Sequence, residues 1–216
     1  MLGRQIVAVS MALAPFLLQG CATSRSELRI DAPPAPKAAA ADAPLAVIRN
    51  VADQRTFEQA PSNPATPSLG FEGAAAATAD VKARAIGRKR NTFGQALGDV
   101  LLQSGQTVAS VVRDNLAAVL RDAGYRVEDA VTDGATVIDV RIRQFWTWSR
   151  PGFSAITANV DIDTDLDVSP NPRTVQVTTH YEEGRAFLGD DARLEIFAKA
   201  LAQYRKDLAQ KLSERK

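Results

Sequence analysis

Ile156-Thr-Ala-Asn-Val-Asp-Ile-Asp-Thr-Asp-Leu-Asp-Val168, the turn Ser169-Pro-Asn-Pro172 and the answering arm Arg173-Thr-Val-Gln-Val-Thr-Thr-His-Tyr181 decide the fold of this chain. Both arms alternate apolar and polar residues with period two, the pattern of strands with one buried and one wet face. Folding the arms about the four-residue turn sets Leu166 against Val175, Val160 against Tyr181, Asp165 against Gln176 and Asp161 against His180. Apolar meets apolar and polar meets polar throughout. A slip of one residue would turn every side chain to the wrong face, so the sequence specifies an antiparallel hairpin in this register.

The segment before the hairpin extends it to a three-stranded meander. Ile138, Val140, Ile142, Trp146 and Trp148 fall on one face by strict alternation, with Asp139, Arg141 and Arg143 on the other. Upstream, Leu45-Ala-Val-Ile-Arg-Asn-Val51 is a nearly continuous apolar run of the kind buried strands show. Two helices flank the meander. Residues 107–123 place Val108, Val111, Val112, Leu116, Val119 and Leu120 on one stripe, and Gly124 follows as a left-handed C-cap. A second helix, capped by Asp190 or Asp191 and ending near Ser213, carries the stripe Leu194, Phe197, Leu201, Tyr204 and Leu208, with Lys206, Lys211, Arg215 and Lys216 toward its C-terminal end, where the helix dipole favours cations. The expected fold is therefore α+β: a mostly antiparallel four-stranded sheet with two amphipathic helices on one face, in a domain spanning residues 45–216. Residues 56–105, dotted with Pro61, Pro64, Pro67, Gly70, Gly73, Gly87, Gly94 and Gly98, read as an irregular insertion, with short helices at 74–85 and 93–102. So long a stretch inside a compact domain signals a functional loop or an unrecognised element.

The amino terminus supplies the location. Arg4 precedes an apolar run from Ile6 to Leu18 that is too short to span a bilayer, which takes roughly 20 residues. It ends in Leu18-Gln19-Gly20-Cys21, and Cys21 is the only cysteine of 216 residues. This pattern resembles the lipobox of bacterial lipoproteins. The resemblance implies signal-peptidase recognition at Leu18, Gln19 and Gly20, removal of residues 1–20, and a covalent diacylglycerol and N-acyl chain on Cys21. An ordinary secretory leader would instead leave Cys21 as a free thiol. In the lipoprotein class, Ala22 in place of an aspartate implies the periplasmic side of the outer membrane. Residues 21–44, with Pro33, Pro34, Pro36 and Pro44, read as a Pro/Ala-rich tether.

The element order, the lipobox, the strand ending Ala52-Asp53-Gln54-Arg55-Thr56 and Leu116-Ala-Ala-Val-Leu-Arg-Asp-Ala-Gly-Tyr125 together resemble the YajG family of bacterial lipoproteins. The resemblance implies an envelope lipoprotein and brings no assigned reaction with it. The chain departs from shorter members of that family by its insertion at 56–105.

Composition narrows the function. The chain has 26 Lys and Arg against 25 Asp and Glu, and the leader carries one of the cations, so the mature chain is formally neutral. A nucleic-acid partner would want a strongly basic face, and none is expected. No cofactor or metal is expected beyond the acyl groups on Cys21. Asp161, Asp163, Asp165 and Asp167 suggest calcium, but Leu166 and Pro172 occupy the loop positions where an EF-hand needs Gly and Glu. Strand periodicity makes them a stripe offset by Arg141 and Arg143. His180, the only histidine, has no Gly-X-Ser-X-Gly elbow to serve, and a zinc site would want more ligands. No enzyme activity is expected. Two features suit partner contact. Trp146, Trp148 and Phe153 crowd the hairpin tip, where they either close the core beneath the insertion or present an interface patch. Arg88, Lys89 and Arg90, with Lys82 and Arg84, form a basic cluster suited to lipid headgroups or an acidic partner, or to pairing with the aspartates. The function expected is an accessory or binding protein for another envelope component; the alternative is a small-ligand or lipid-binding module with a pocket between the helices and the insertion.

Overall fold

The computed structural model describes residues 25–34, 39–40, 42–70, 73–91, 93, 95–153 and 155–214. The leader residues Leu18, Gln19 and Gly20 and the lipidation residue Cys21 lie outside them. In chain order the elements are β1 (Ser26–Leu28), β2 (Leu45–Asp53), α1 (Gly73–Ala76), α2 (Ala79–Arg84), β3 (Ala85–Arg90), β4 (Ala96–Leu102), α3 (Val108–Asp122), β5 (Arg126–Glu128), β6 (Thr136–Pro151), β7 (Ile156–Ser169), β8 (Arg173–Arg185) and α4 (Asp190–Ser213).

The β7–β8 hairpin forms in the register its alternation requires, pairing Leu166 with Val175, Val160 with Tyr181 and Asp161 with His180. β6 joins β7 antiparallel, completing the meander. The sheet is larger than four strands and mixed. Along the first half of β6 lies β2, parallel to it, with β5 beyond; along the second half lie β3, β4 and β1. The expectation of a mostly antiparallel four-stranded sheet is thus corrected to eight strands with four parallel pairings, β1·β4, β2·β5, β2·β6 and β3·β6. β2 returns to β6 only after α3, and such crossover connections join parallel strands.

Both long helices pack on one face, as expected. Thr107 caps α3 through a reciprocal pair: its hydroxyl accepts from the Ser110 amide at 3.1 Å, and the Ser110 hydroxyl accepts from the Thr107 amide at 3.0 Å. Gly124 ends the helix at φ +88°. α4 differs from expectation: Gly189 is its N-cap, and Asp190 instead accepts a hydrogen bond from the Ser26 hydroxyl at 2.6 Å. Leu116, Val160, Ile162, Leu166, Phe197, Leu201 and Tyr204 meet in the core beneath these helices. Phe145 stacks on Phe197 there with ring centroids 5.5 Å apart.

The far face has its own small core. A β-bulge between Ile142 and Gln144 breaks the alternation of β6. Before it, Ile138, Val140 and Ile142 face the helices; after it, Phe145 does, while Trp146 and Trp148 turn to the far face. There they pack with Leu69, Ala85 and Leu101, under cover from Phe57, Ala65, Ala77 and Val81. Residues 56–105 are therefore no irregular insertion. They supply the far-face cover and the β3–β4 hairpin, and the helix expected at 93–102 is largely strand β4. Gly87 explains why β3 is glycine-marked: a Cβ there would lie 2.5 Å from the Thr147 methyl and 2.9 Å from its carbonyl oxygen. The tether is shorter than read, because β1 and the buried Leu28 and Ile30 belong to the domain.

Candidate functional site

Three places in this fold present chemistry. The first is a groove of about 1150 Å³ between α3, α4 and the end of the sheet where β6 begins and β7 ends. That exceeds the usual ~300–1,000 Å³ of a ligand pocket. Val119 and Leu120 of α3, Ile138 of β6 and Leu212 of α4 supply apolar lining. Arg173, Arg205 and Lys206 add three cations against one carboxylate, Asp122. Arg173 is fixed by the C-terminal carbonyls of α4: its guanidinium donates to the carbonyls of Leu212 at 2.9 Å and Glu214 at 2.8 Å. Arg205 donates to the buried Asn115 side chain at 2.7 Å, and burial holds its pKa below the ordinary arginine value. An apolar trough with a fixed positive rim suits an amphiphile or a segment that carries a negative group.

The alternative pocket was expected between the helices and the insertion; no residue of 56–105 is among the described residues that line this groove. Its cations come from scattered positions on β8 and α4, which no local spacing links. Lys206 read as dipole complementation alone.

The second place is the polar part of the far face. Arg141 pairs with Asp167 and, at 3.8 Å, with Asp165; Arg143 donates to Asp165 at 2.9 Å; Arg49 donates to Asp139 at 3.0 Å. The bulge lets Arg141 and Arg143 both reach Asp165. Asp165 and Asp167 of the aspartate stripe are thus offset by Arg141 and Arg143, as its alternation implied. Among the described residues no group of three or more His, Cys, Asp or Glu is arranged to hold a metal ion. His180 faces Asp161 through Nδ1 at 2.6 Å and Glu182 through Nε2 at 3.7 Å, so its partners are carboxylates.

These carboxylates respond to pH in opposite senses. Hydrogen bonds from Arg49 and Arg141 hold Asp139 and Asp167 below the usual carboxylate range, and Arg185 of β8 and Lys199 of α4 hold Glu195 at about 2. Their contribution to stability is complete above the unfolded carboxylate pKa of about 4 and is lost as pH falls toward their folded values. Asp163 behaves inversely: burial, with Asp161 and Asp165 nearby, raises its pKa, and its Oδ1 has no hydrogen-bond partner. Asp163→Asn is expected to raise the thermal midpoint at pH 7, with the gain vanishing below about pH 4. Melting curves across pH 3–8 check both directions.

The third place is the hairpin-tip end of the sheet. Of the two roles open to Trp146 and Trp148, closing the core beneath residues 56–105 is the one observed: they are 0% and 3% exposed and present no surface to a partner. The bulge turns them to the far face, where Phe57, Ala65, Ala77 and Val81 cover them. Phe153 is fully exposed. Arg88, Lys89 and Arg90 form the half-buried second half of β3, where Arg88 donates to the Ser68 hydroxyl at 3.3 Å. Arg84 is bound to Asp80, Glu27 and the Leu102 carbonyl. The basic cluster is thus partly spent inside the fold.

No family model matches this chain, and no curated protein matches it. Solved structures similar to it include two bacterial or uncharacterized proteins. One is an uncharacterized protein at 15% identity and TM-score 0.47, with 88% of this chain and 99% of that one covered. The other is a Xanthomonas campestris protein of the family DUF330 at 15% identity and TM-score 0.43, covering 87% and 93% respectively.

Proposed function

We propose that this chain is a non-enzymatic lipoprotein, anchored through acylated Cys21 on the periplasmic side of the bacterial outer membrane, that binds another component of the envelope in the groove between α3 and α4. The motif Leu18-Gln19-Gly20-Cys21 supports the location. Two acyl chains exceed what stable membrane attachment needs. The resemblance to the YajG lipoproteins agrees with that placement.

The groove carries the binding half of this reading. Its apolar lining gives affinity by desolvation, and Arg173, Arg205 and Lys206 select for negative charge. That combination also favours the second reading, a lipid or other small amphiphile as the bound component. A photo-crosslinking amino acid at Ala202, which lines the groove, tests both in intact cells. We expect a specific adduct, a protein band or a lipid mass, that disappears when Ala209→Trp fills the groove. Labelling no different from a probe at Glu182, exposed on the opposite face of the sheet, would overturn the assignment.

A further inference from the structure

One end of the sheet gathers most of the exposed large apolar side chains. Strands β8, β7, β6, β3 and β4 lie side by side there. β6 turns into β7 through Phe153, β3 into β4 through Phe93, and β8 leaves for α4 through Phe187. Each of these connections thus carries a phenylalanine, exposed by 111%, 88% and 78% respectively. The other large apolar side chain exposed among the described residues, Val131, precedes β6 at the opposite end. With strands ~4.8 Å apart, the three turns share a rim about 19 Å long, from β8 to β4. Monomeric proteins rarely group exposed rings this way without using them.

We propose that this rim docks on a phospholipid bilayer, with Phe93, Phe153 and Phe187 seated among the acyl chains. The proposal rests on the reading of Cys21 as the acylated residue and adds an orientation to it. Chain length supplies the independent argument. Ser26 pairs with Val100, which pairs with Gly87, which pairs with Thr147, so β1 begins level with Thr147. β1 runs parallel to β4, so its N-terminal end is the one nearer the rim. Val100 is four residues from Ala96 at the rim, a distance of about 13 Å. Cys21 is five residues before Ser26, a reach of about 17 Å at most.

An acyl anchor at Cys21 therefore reaches bilayer depth when the rim meets the membrane. It does not do so in the opposite orientation. Thr136, which lines the groove, is eleven residues from Thr147 along β6, about 35 Å away. Five residues of chain do not cover that span. The exposed Arg150 near the end of β6 flanks the rings at headgroup depth, where a long cationic side chain extends to the interface. The groove then points away from the membrane, open to a periplasmic component.

The full lipoprotein, reconstituted in vesicles containing phospholipids brominated along the acyl chains, tests this. Phe93→Trp, Phe153→Trp and Phe187→Trp each add an exposed indole to the buried native pair, and Val131→Trp is the control at the opposite end. The expected result is a blue shift and loss of the added emission for the three rim positions, with the Val131→Trp signal unchanged. Mass spectrometry of the same samples reads the acylation of Cys21. An acylated chain whose rim positions are not quenched, or whose Val131→Trp is quenched as strongly, overturns the docking rim alone. Quenching at the rim without acylation supports the rim and overturns the anchor. Neither signal overturns both.

Discussion

Replacing Arg55 with methionine is expected to lower the stability of the domain by about 3–5 kcal/mol, the cost of breaking a buried ion pair from one side. The side chain of Arg55 is fully buried and ties four segments together. Its Nε and Nη2 donate to Asp53 at 2.8 and 2.7 Å, Nη2 also to the Lys82 carbonyl at 2.8 Å, and Nη1 to the carbonyls of Ala85 at 2.6 Å and Phe145 at 3.0 Å. The guanidinium also lies over the Phe57 ring, 5.2 Å from its centroid. Methionine keeps the bulk and leaves three carbonyls and a carboxylate without their donors, which is where the cost arises. Lysine is not expected to rescue, because a single ammonium cannot reproduce the planar fork. Asp53→Asn in the Arg55→Met background should cost much less than on its own, since the two act as a unit. Urea denaturation of the four proteins measures this; a loss below about 1 kcal/mol for Arg55→Met contradicts the account.

Trp146→Ala is expected to destabilise by a similar amount, about 3–5 kcal/mol, as large-to-small changes at buried aromatic positions do. Trp146 is fully buried on the far face, edge-on to Phe57 at 6.1 Å, and its Nε1 donates to the Pro64 carbonyl at 3.2 Å. The loss should appear as loosening of residues 54–70 from the sheet, visible as faster amide exchange there. Phe153→Ala, at a fully exposed position, should leave stability unchanged within about 0.5 kcal/mol. Equal effects from the two changes would show that the far-face core does not hold the domain together.

Trp146 also marks where sequence and structure part. The β7–β8 register was fully legible, because fourteen-residue and thirteen-residue strands with uninterrupted alternation admit one pairing. The faces of α3 and α4 were legible for the same reason, with Leu116, Phe197, Leu201 and Tyr204 all buried as their spacing required. β6 was half legible. Period-two reading assumes even pleating, and the bulge after Ile142 silently exchanges the faces of every later residue, so Phe145 goes to the main core and the tryptophans to the other. β1 was hidden because three residues, Ser26-Glu-Leu28, are too few to show a period, and β3 because Gly87 and three consecutive cations disguise it. The groove was not legible at all, since its cations meet only through the packing of α4 against the end of the sheet. The role of Asp53 and Arg55 is of the same kind: the dipeptide spacing was visible, its four partners were not.

The central claim, a domain held at the membrane by its first mature residue, is tested most directly by intact-mass and tandem mass spectrometry of the protein extracted from bacterial membranes. The account predicts an amino terminus at Cys21 whose mass carries the diacylglyceryl and N-acyl groups. A mature chain that begins elsewhere, or that begins at Cys21 with an unmodified thiol, contradicts it.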